Sequence, residues 1–163
     1  MHSIGAVHGD IKGANVLVSD SGIAMLADFG STVLEVYSLQ FTPTGATYWS
    51  VHWASPEILI GTTSPSMEGD VWALGMEIVT GKLPYSNLGD MRAVVGWILS
   101  GRLPLRPNAQ LPPDSSFGDR LWTLLTSCWA SEPSCRPTAE YVRDCLKDIA
   151  ANEERTPGTE SPN

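Results

Sequence analysis

Apolar positions in this chain repeat with helical spacing through its second half and come in short, strand-like bursts through its first. Between Ser66 and Thr80, Val71, Leu74 and Ile78 recur at helical intervals, while Trp72, Met76 and Val79 extend the apolar character round much of the circumference. A helix of that kind needs neighbours on several sides. Gly81 suits the position just past its end, and Pro84 lies beyond it. Asn87, with Asp90 three residues on, predicts a capped helix over Leu88 to Ser100, and Ser116 predicts a cap for Phe117 to Trp129. In that second helix Leu121, Leu124, Leu125 and Cys128 form one stripe. Thr138 opens a last helix, in which Val142, Cys145, Leu146 and Ile149 repeat at i, i+3, i+4, i+7.

The first half reads differently. Asn15 to Val18 and Ile23 to Asp28 are β-prone runs separated by Ser19-Asp20-Ser21-Gly22, which predicts a hairpin with Asn15 and Asp28 at its open end. Two carbonyl-bearing side chains there can converge on one cation. From Gly30 to Trp53 neither period is present, and so long a loop inside a compact domain is usually functional. From Asn152 onward Glu, Arg, Thr, Pro, Gly and Ser dominate, which predicts a disordered tail over 152–163 behind a domain over 1–151. No internal repeat is present.

Composition narrows the class. With 163 residues and 42% apolar content the chain is long enough for one cored domain. Ten basic against eighteen acidic residues give a net charge of −8, which disfavours nucleic acid and anionic membrane as partners. Cys128, Cys135 and Cys145 form no C-x-x-C pair, so neither a disulfide framework nor a zinc site is expected. No charged-then-apolar leader opens the chain, and the uncharged stretch ending at Pro56 is too rich in Ser, Thr, Gln and Pro to span a bilayer. The expectation is a soluble cytoplasmic protein; oligomeric state cannot be read from these residues.

The chemistry sits in three short runs: His8-Gly9-Asp10-Ile11-Lys12-Gly13-Ala14-Asn15, then Asp28-Phe29-Gly30, then Ser55-Pro56-Glu57. Taken singly, Asn15 reads as a turn residue, Asp28 as a strand-end carboxylate, and Asp10 with Lys12 as a solvated pair. In this order they resemble the protein-kinase signature, H-R-D-x-x-x-x-N, then D-F-G, then A-P-E. The resemblance implies phosphoryl transfer from ATP with Mg²⁺, a chemistry of positioning and charge neutralisation. It makes Asp10 the aspartate that orients the incoming hydroxyl, Lys12 the lysine against the transferring phosphate, and Asn15 and Asp28 the magnesium ligands. Hard oxygen donors are what Mg²⁺ demands. His8 becomes a structural residue packed beside Phe29, with Gly30 completing that motif.

More of the chain resembles the carboxyl-terminal lobe of the same family. Asp70-Val71-Trp72-Ala73-Leu74-Gly75 is similar to the D-V-W-S-x-G run of its central αF helix, whose aspartate grips the catalytic loop. Asp70 read alone is a first-turn carboxylate favoured by the helix dipole, and both roles are compatible. Cys128-Trp129, Glu132-Pro133 and Arg136-Pro137 resemble C-W-x-x-x-P-x-x-R-P, whose arginine pairs with the glutamate matched by Glu57. Ser50 matches the threonine of G-T-x-x-W-x-A-P-E, whose hydroxyl bonds the residues matched by Asp10 and Lys12. Trp53 fits the tryptophan of that ending. With Lys12 it points to protein Ser/Thr substrates and the tyrosine-kinase-like group.

Departures matter too. Gly9 replaces the arginine that pairs with a phosphorylated loop, and Glu35 is the only formally charged residue between Gly30 and Glu57, so activation by loop phosphorylation is disfavoured. Trp49 replaces a glycine, which leaves the shape of the substrate pocket open. The 163 residues contain no Gly-rich phosphate loop and no V-A-I-K lysine, and Met1 to Val7 resembles only the tail of the αE helix. The expected fold is therefore α+β, a mainly α-helical C-lobe with a short β-hairpin and no N-lobe. Two readings stand: a truncated serine/threonine kinase inactive alone, or a non-catalytic remnant acting as a binding module. Either leaves apolar surface without its neighbour.

Overall fold

The computed structural model describes residues 1–34, 39–40, 48–78 and 83–154. Along the chain run β1 (Ala6–Val7), β2 (Val16–Val18), β3 (Ala24–Leu26), β4 (Val33–Leu34), β5 (Leu39–Gln40), α1 (Pro56–Ile60), α2 (Met67–Ile78), α3 (Met91–Leu99), α4 (Ser116–Cys128) and α5 (Ala139–Glu154). Short 3₁₀ turns occupy His2–Ile4, Gly13–Asn15, Phe29–Ser31, Tyr48–Trp53 and Pro133–Cys135. The α+β character expected from the residue pattern is present. Among the described residues no helix is long and apolar enough to cross a membrane.

Helix α2 is enclosed nearly all round, with Asp70, Val71, Trp72, Ala73, Gly75 and Met76 all buried. It packs on α4, α4 packs on α5, and Trp72, Trp129, Leu125, Val94, Ile98 and Val142 join one core. The contact with α4 is close because Gly75 has no side chain: a Cβ there would lie 2.8 Å from Trp129 Nε1 and 2.9 Å from Cys128 Cβ. Ordinarily alanine stabilises a helix interior over glycine by about 1 kcal/mol. Here the clash reverses the sign.

Helix boundaries differ from the pattern-based ones where side-chain capping decides. Asp90, rather than Asn87, caps α3, accepting from the Arg92 amide at 3.2 Å. Ser115, rather than Ser116, caps α4 by accepting from Gly118 N–H at 3.2 Å. Thr138 accepts from Tyr141 N–H at 3.2 Å and starts α5 as expected. That last helix carries on through Glu154, helped by Asn152 Nδ2 donating to the Asp148 carbonyl at 2.7 Å; the remainder of the expected tail, 155–163, lies outside the described residues. Val79, Thr80 and Gly81, expected at the end of α2, lie outside them as well.

The hairpin forms, with Val16 opposite Leu26 and Val18 opposite Ala24. Its turn closes through Ser19 N–H to Ile23 O at 2.9 Å, with Gly22 at φ 79. The paired strands are shorter than the β-prone runs because Asn15 turns with Gly13 and Ala14 instead. A separate antiparallel sheet runs β1-β4-β5, pairing Ala6 with Leu34 and Val7 with Val33.

The hairpin has no fully buried face. Leu17, Val18, Ile23, Met25 and Leu26 are all exposed, Val18 by 69%. Beside it lies an open, mainly apolar groove of about 530 Å³, lined by Ile11, Val16, Met25, Leu26, Val71 and Leu74 among others. Two outcomes are expected. In thermal melts, Gly75→Ala should destabilise by about 1–3 kcal/mol through overpacking, whereas Gly96→Ala, in α3 with nothing within 4 Å, should stabilise by about 0.5–1 kcal/mol. The 163-residue chain should bind a hydrophobic dye, and Val18→Lys with Ile23→Lys should reduce that binding without changing helical circular dichroism; unaltered dye binding would place the sticky surface elsewhere.

Candidate active site

The loop from His8 to Asn15 is held from below by one carboxylate. Asp70, buried in the first turn of α2, accepts from His8 N–H at 2.7 Å on Oδ2 and from Gly9 N–H at 2.8 Å on Oδ1. His2 Nε2 also lies 2.9 Å from Oδ2. Buried backbone donors need partners, and this arrangement supplies two of them without a strand ladder. Gly9 takes φ 79, and a Cβ there would sit 2.7 Å from the Ser31 carbonyl. Glycine adopts that left-handed conformation at no steric cost, so its presence eases the loop's approach to the Asp28-Phe29-Gly30 segment.

His8 is fully buried, and its tautomer follows from its neighbours. Nε2 lies 3.0 Å from the Ala27 carbonyl, which can only accept, and Nδ1 lies 3.3 Å from the Asp10 amide, which can only donate. The ring is neutral, with its proton on Nε2. Its face meets Phe29 at 5.3 Å between centroids, so the two expected neighbours are together. His8 thus joins the loop to the residue immediately before Asp28.

Asp10, Lys12 and Asn15 converge. Lys12 Nζ donates to Asp10 Oδ2 at 2.6 Å, and Asn15 Nδ2 donates to the Asp10 carbonyl at 2.8 Å and to Oδ2 at 3.1 Å. The Gly13–Asn15 turn brings this about by folding Asn15 back over Asp10, which leaves Asn15 buried. Asp28 is exposed and left-handed at φ 58, its Oδ1 accepting from Gly30 N–H at 3.3 Å. Ala27 N–H donates to Asn15 O at 2.8 Å, so the backbone itself sets Asp28 beside Asn15. The donor set at this end, carboxylate and amide oxygens, fits a hard divalent cation.

Glu57 and Arg136 meet as expected. The guanidinium fork donates from Nη1 to Oε1 at 2.6 Å and from Nη2 to Oε2 at 2.8 Å, and Arg136 also stacks over Trp72 at 4.9 Å. This bidentate pair ties α1 to α2 and to the segment before α5. Ser50 belongs to the Tyr48–Trp53 turn, but its side chain, like that of Trp49, lies outside the described residues, as do 35–38 and 41–47 of the loop before it.

Two neighbours of this site carry little or no sequence signal. His2 has none beyond its type. Glu77 stands out only as a carboxylate on an otherwise apolar helix turn, and it accepts from Trp53 Nε1–H at 2.7 Å.

With this geometry in view, the family assignment can be made. The protein kinase domain profile matches residues 1–146. The chain belongs to the protein kinase family. "Serine/threonine-protein kinase Tao" of Drosophila melanogaster is 30% identical over 144 residues, covering 85% of this chain and 13% of that protein. "Serine/threonine-protein kinase STY17" of Arabidopsis thaliana is 30% identical over 152 residues, covering 91% of this chain and 25% of that protein. This kinase chain therefore spans a quarter or less of these relatives' length. Protein kinases act on protein substrates and use ATP with a divalent metal.

The Glu57 carboxyl is pushed up by burial, but the hydrogen bonds and charge of Arg136 outweigh burial and hold it below its ordinary value of 4.5. A lowered folded value means the unfolded chain binds the proton more readily. The pair's contribution is therefore full above about pH 4.5 and is lost as pH falls through the lower folded value. Glu57→Gln should cost about 3–5 kcal/mol near neutrality, because it leaves Arg136 buried without a counter-charge. In denaturant melts at stepped pH, the difference between variant and wild type should shrink below pH 4.5; a constant difference would show that the pair is not the acid-labile element.

Proposed function

We propose that this chain is the carboxyl-terminal lobe of a serine/threonine kinase domain of the tyrosine-kinase-like group, with its catalytic loop competent in geometry. The observation that carries this reading is Asp10, held by Lys12 at 2.6 Å and Asn15 at 3.1 Å on a loop fixed by Asp70. Mg·ATP, when bound, supplies the phosphoryl group and the charge that neutralises it. Asp10 then accepts a hydrogen bond from the substrate hydroxyl and aims it in line, in a rotamer that Lys12 and Asn15 already fix. Lys12 is placed to shift its charge from Asp10 toward the transferring phosphate. Asn15 and Asp28 would hold the metal, whose charge would offset that of the phosphates. The names of both relatives, together with Lys12 two residues after Asp10, support Ser/Thr hydroxyls as acceptors.

A second reading is a non-catalytic binding module that keeps the same fold. The two readings part in experiment. The 163-residue chain by itself should show negligible transfer from ATP to a generic Ser/Thr substrate, and turnover that vanishes in Asp10→Ala would overturn that expectation. Joined to a nucleotide-binding lobe, the chain should become active. Asp28→Ala should then abolish Mg·ATP-dependent transfer, Asp10→Asn should lower kcat by about 10²–10⁴-fold with little change in nucleotide affinity, and Lys12→Ala should fall between. A completed domain that binds Mg·ATP without transferring phosphate would favour the binding module.

A further inference from the structure

Trp53 and Gly13, forty residues apart in the chain, meet on one carboxylate. Glu77, in the last turn of α2, accepts from Trp53 Nε1–H at 2.7 Å through Oε2. Its Oε1 faces Gly13 so closely that a Cβ at Gly13 would collide with it. Gly13 is not among the glycines with positive φ, so its missing side chain serves space and not backbone conformation. The two oxygens of Glu77 therefore touch the turn that leads to Glu57 on one side and the loop between Lys12 and Asn15 on the other.

Next to Trp53, His52 is buried and its Nδ1–H donates to the Pro84 carbonyl at 2.7 Å, just beyond α2. Of these two adjacent residues of the Tyr48–Trp53 turn, Trp53 is tied to α2 itself and His52 to the chain that follows it. The same helix holds the catalytic loop from its amino-terminal end through Asp70. A half-buried carboxylate is costly unless its oxygens are hydrogen-bonded, and an ionised acceptor makes the stronger class of hydrogen bond. Among the described residues at this end of α2, Glu77 contacts both segments.

We propose that Glu77 is a positioning residue, setting the register of the substrate-facing turn against the catalytic loop. The proposal rests on the kinase reading above and adds to it that the 48–53 turn, which carries the positions matched to G-T-x-x-W, faces the protein substrate. Glu77 touches no reacting atom. It acts through Trp53 on one side and through the space left by Gly13 on the other, so displacing its carboxylate moves where the hydroxyl arrives relative to Asp10.

The contact is tested on the 163-residue chain with ¹⁵N-labelled tryptophan, the Trp53 indole resonance being assigned by its loss in Trp53→Phe. Glu77→Ala should shift that resonance and speed exchange of its N–H, whereas Glu77→Gln, whose side-chain oxygen still accepts, should stay near wild type. Gly13→Ala should shift the same resonance in the native background and leave it unmoved in Glu77→Ala. An indole signal indifferent to Glu77→Ala, or one that Gly13→Ala moves equally in both backgrounds, overturns the coupling. The role is tested in the domain completed with a nucleotide lobe. There Glu77→Ala should raise KM for the protein substrate by roughly tenfold, with kcat and KM for ATP within about twofold of wild type, and Glu77→Gln should restore it. An Asp10-dependent enzyme whose protein-substrate KM ignores Glu77→Ala overturns the Glu77 proposal alone. A completed domain indifferent to Asp10→Asn overturns the kinase reading and the Glu77 role with it.

Discussion

The site depends on a carboxylate that does no chemistry. Asp70 sits in the first turn of a helix buried almost all round, and it gives one oxygen each to the amides of His8 and Gly9. Those amides belong to a loop with no strand partner at that point, so without Asp70 they would be left short of acceptors. From there the constraint passes outward. The His8 ring, fixed by its backbone, reaches the carbonyl before Asp28, and the next residue, Asp10, receives Lys12 and Asn15. A hydrophobic helix thereby supplies rigidity to a polar loop, as an active site built on positioning requires.

Arg136 and Glu57 do the equivalent for α1 and the segment before α5. The pair is buried and bidentate, and its arginine lies over Trp72 of the same central helix. Both the His8–Asn15 loop and the Glu57–Arg136 pair are therefore referred to α2, one through Asp70 and one through the Trp72 face. Gly75 lets α4 approach this helix closely enough to complete its enclosure. Small residues and charged ones are both needed to turn an apolar rod into a frame.

Much of this was legible in the residues. The near-continuous apolar run about Trp72 announced a helix surrounded by others, and the order of His8, Asp10, Asn15, Asp28 and Glu57 named a family before any distance was known. The long-range pairs Asp70 with the loop and Arg136 with Glu57 came from that resemblance, since no local rule links residues 62 or 79 positions apart. Helix ends were less legible. Asn87 and Asp90, or Ser115 and Ser116, are equally good caps by type, and only the path of the preceding chain selects which oxygen reaches the free amides. Glu77 was hidden for a different reason: its partners are an indole and a missing side chain, neither of which leaves a pattern in sequence.

The Asp70 contact also binds the order of the loop to the folding of the helix. Its amide partners lie 61 and 62 positions away in sequence, so the contact closes a long stretch of chain at an entropic cost that the folded helix must offset. Contacts of such separation form slowly and open cooperatively. Both amides point at a carboxylate of α2, so their exchange with solvent requires that contact to open. The order of the His8–Asn15 loop is bound to that of the helix beneath it.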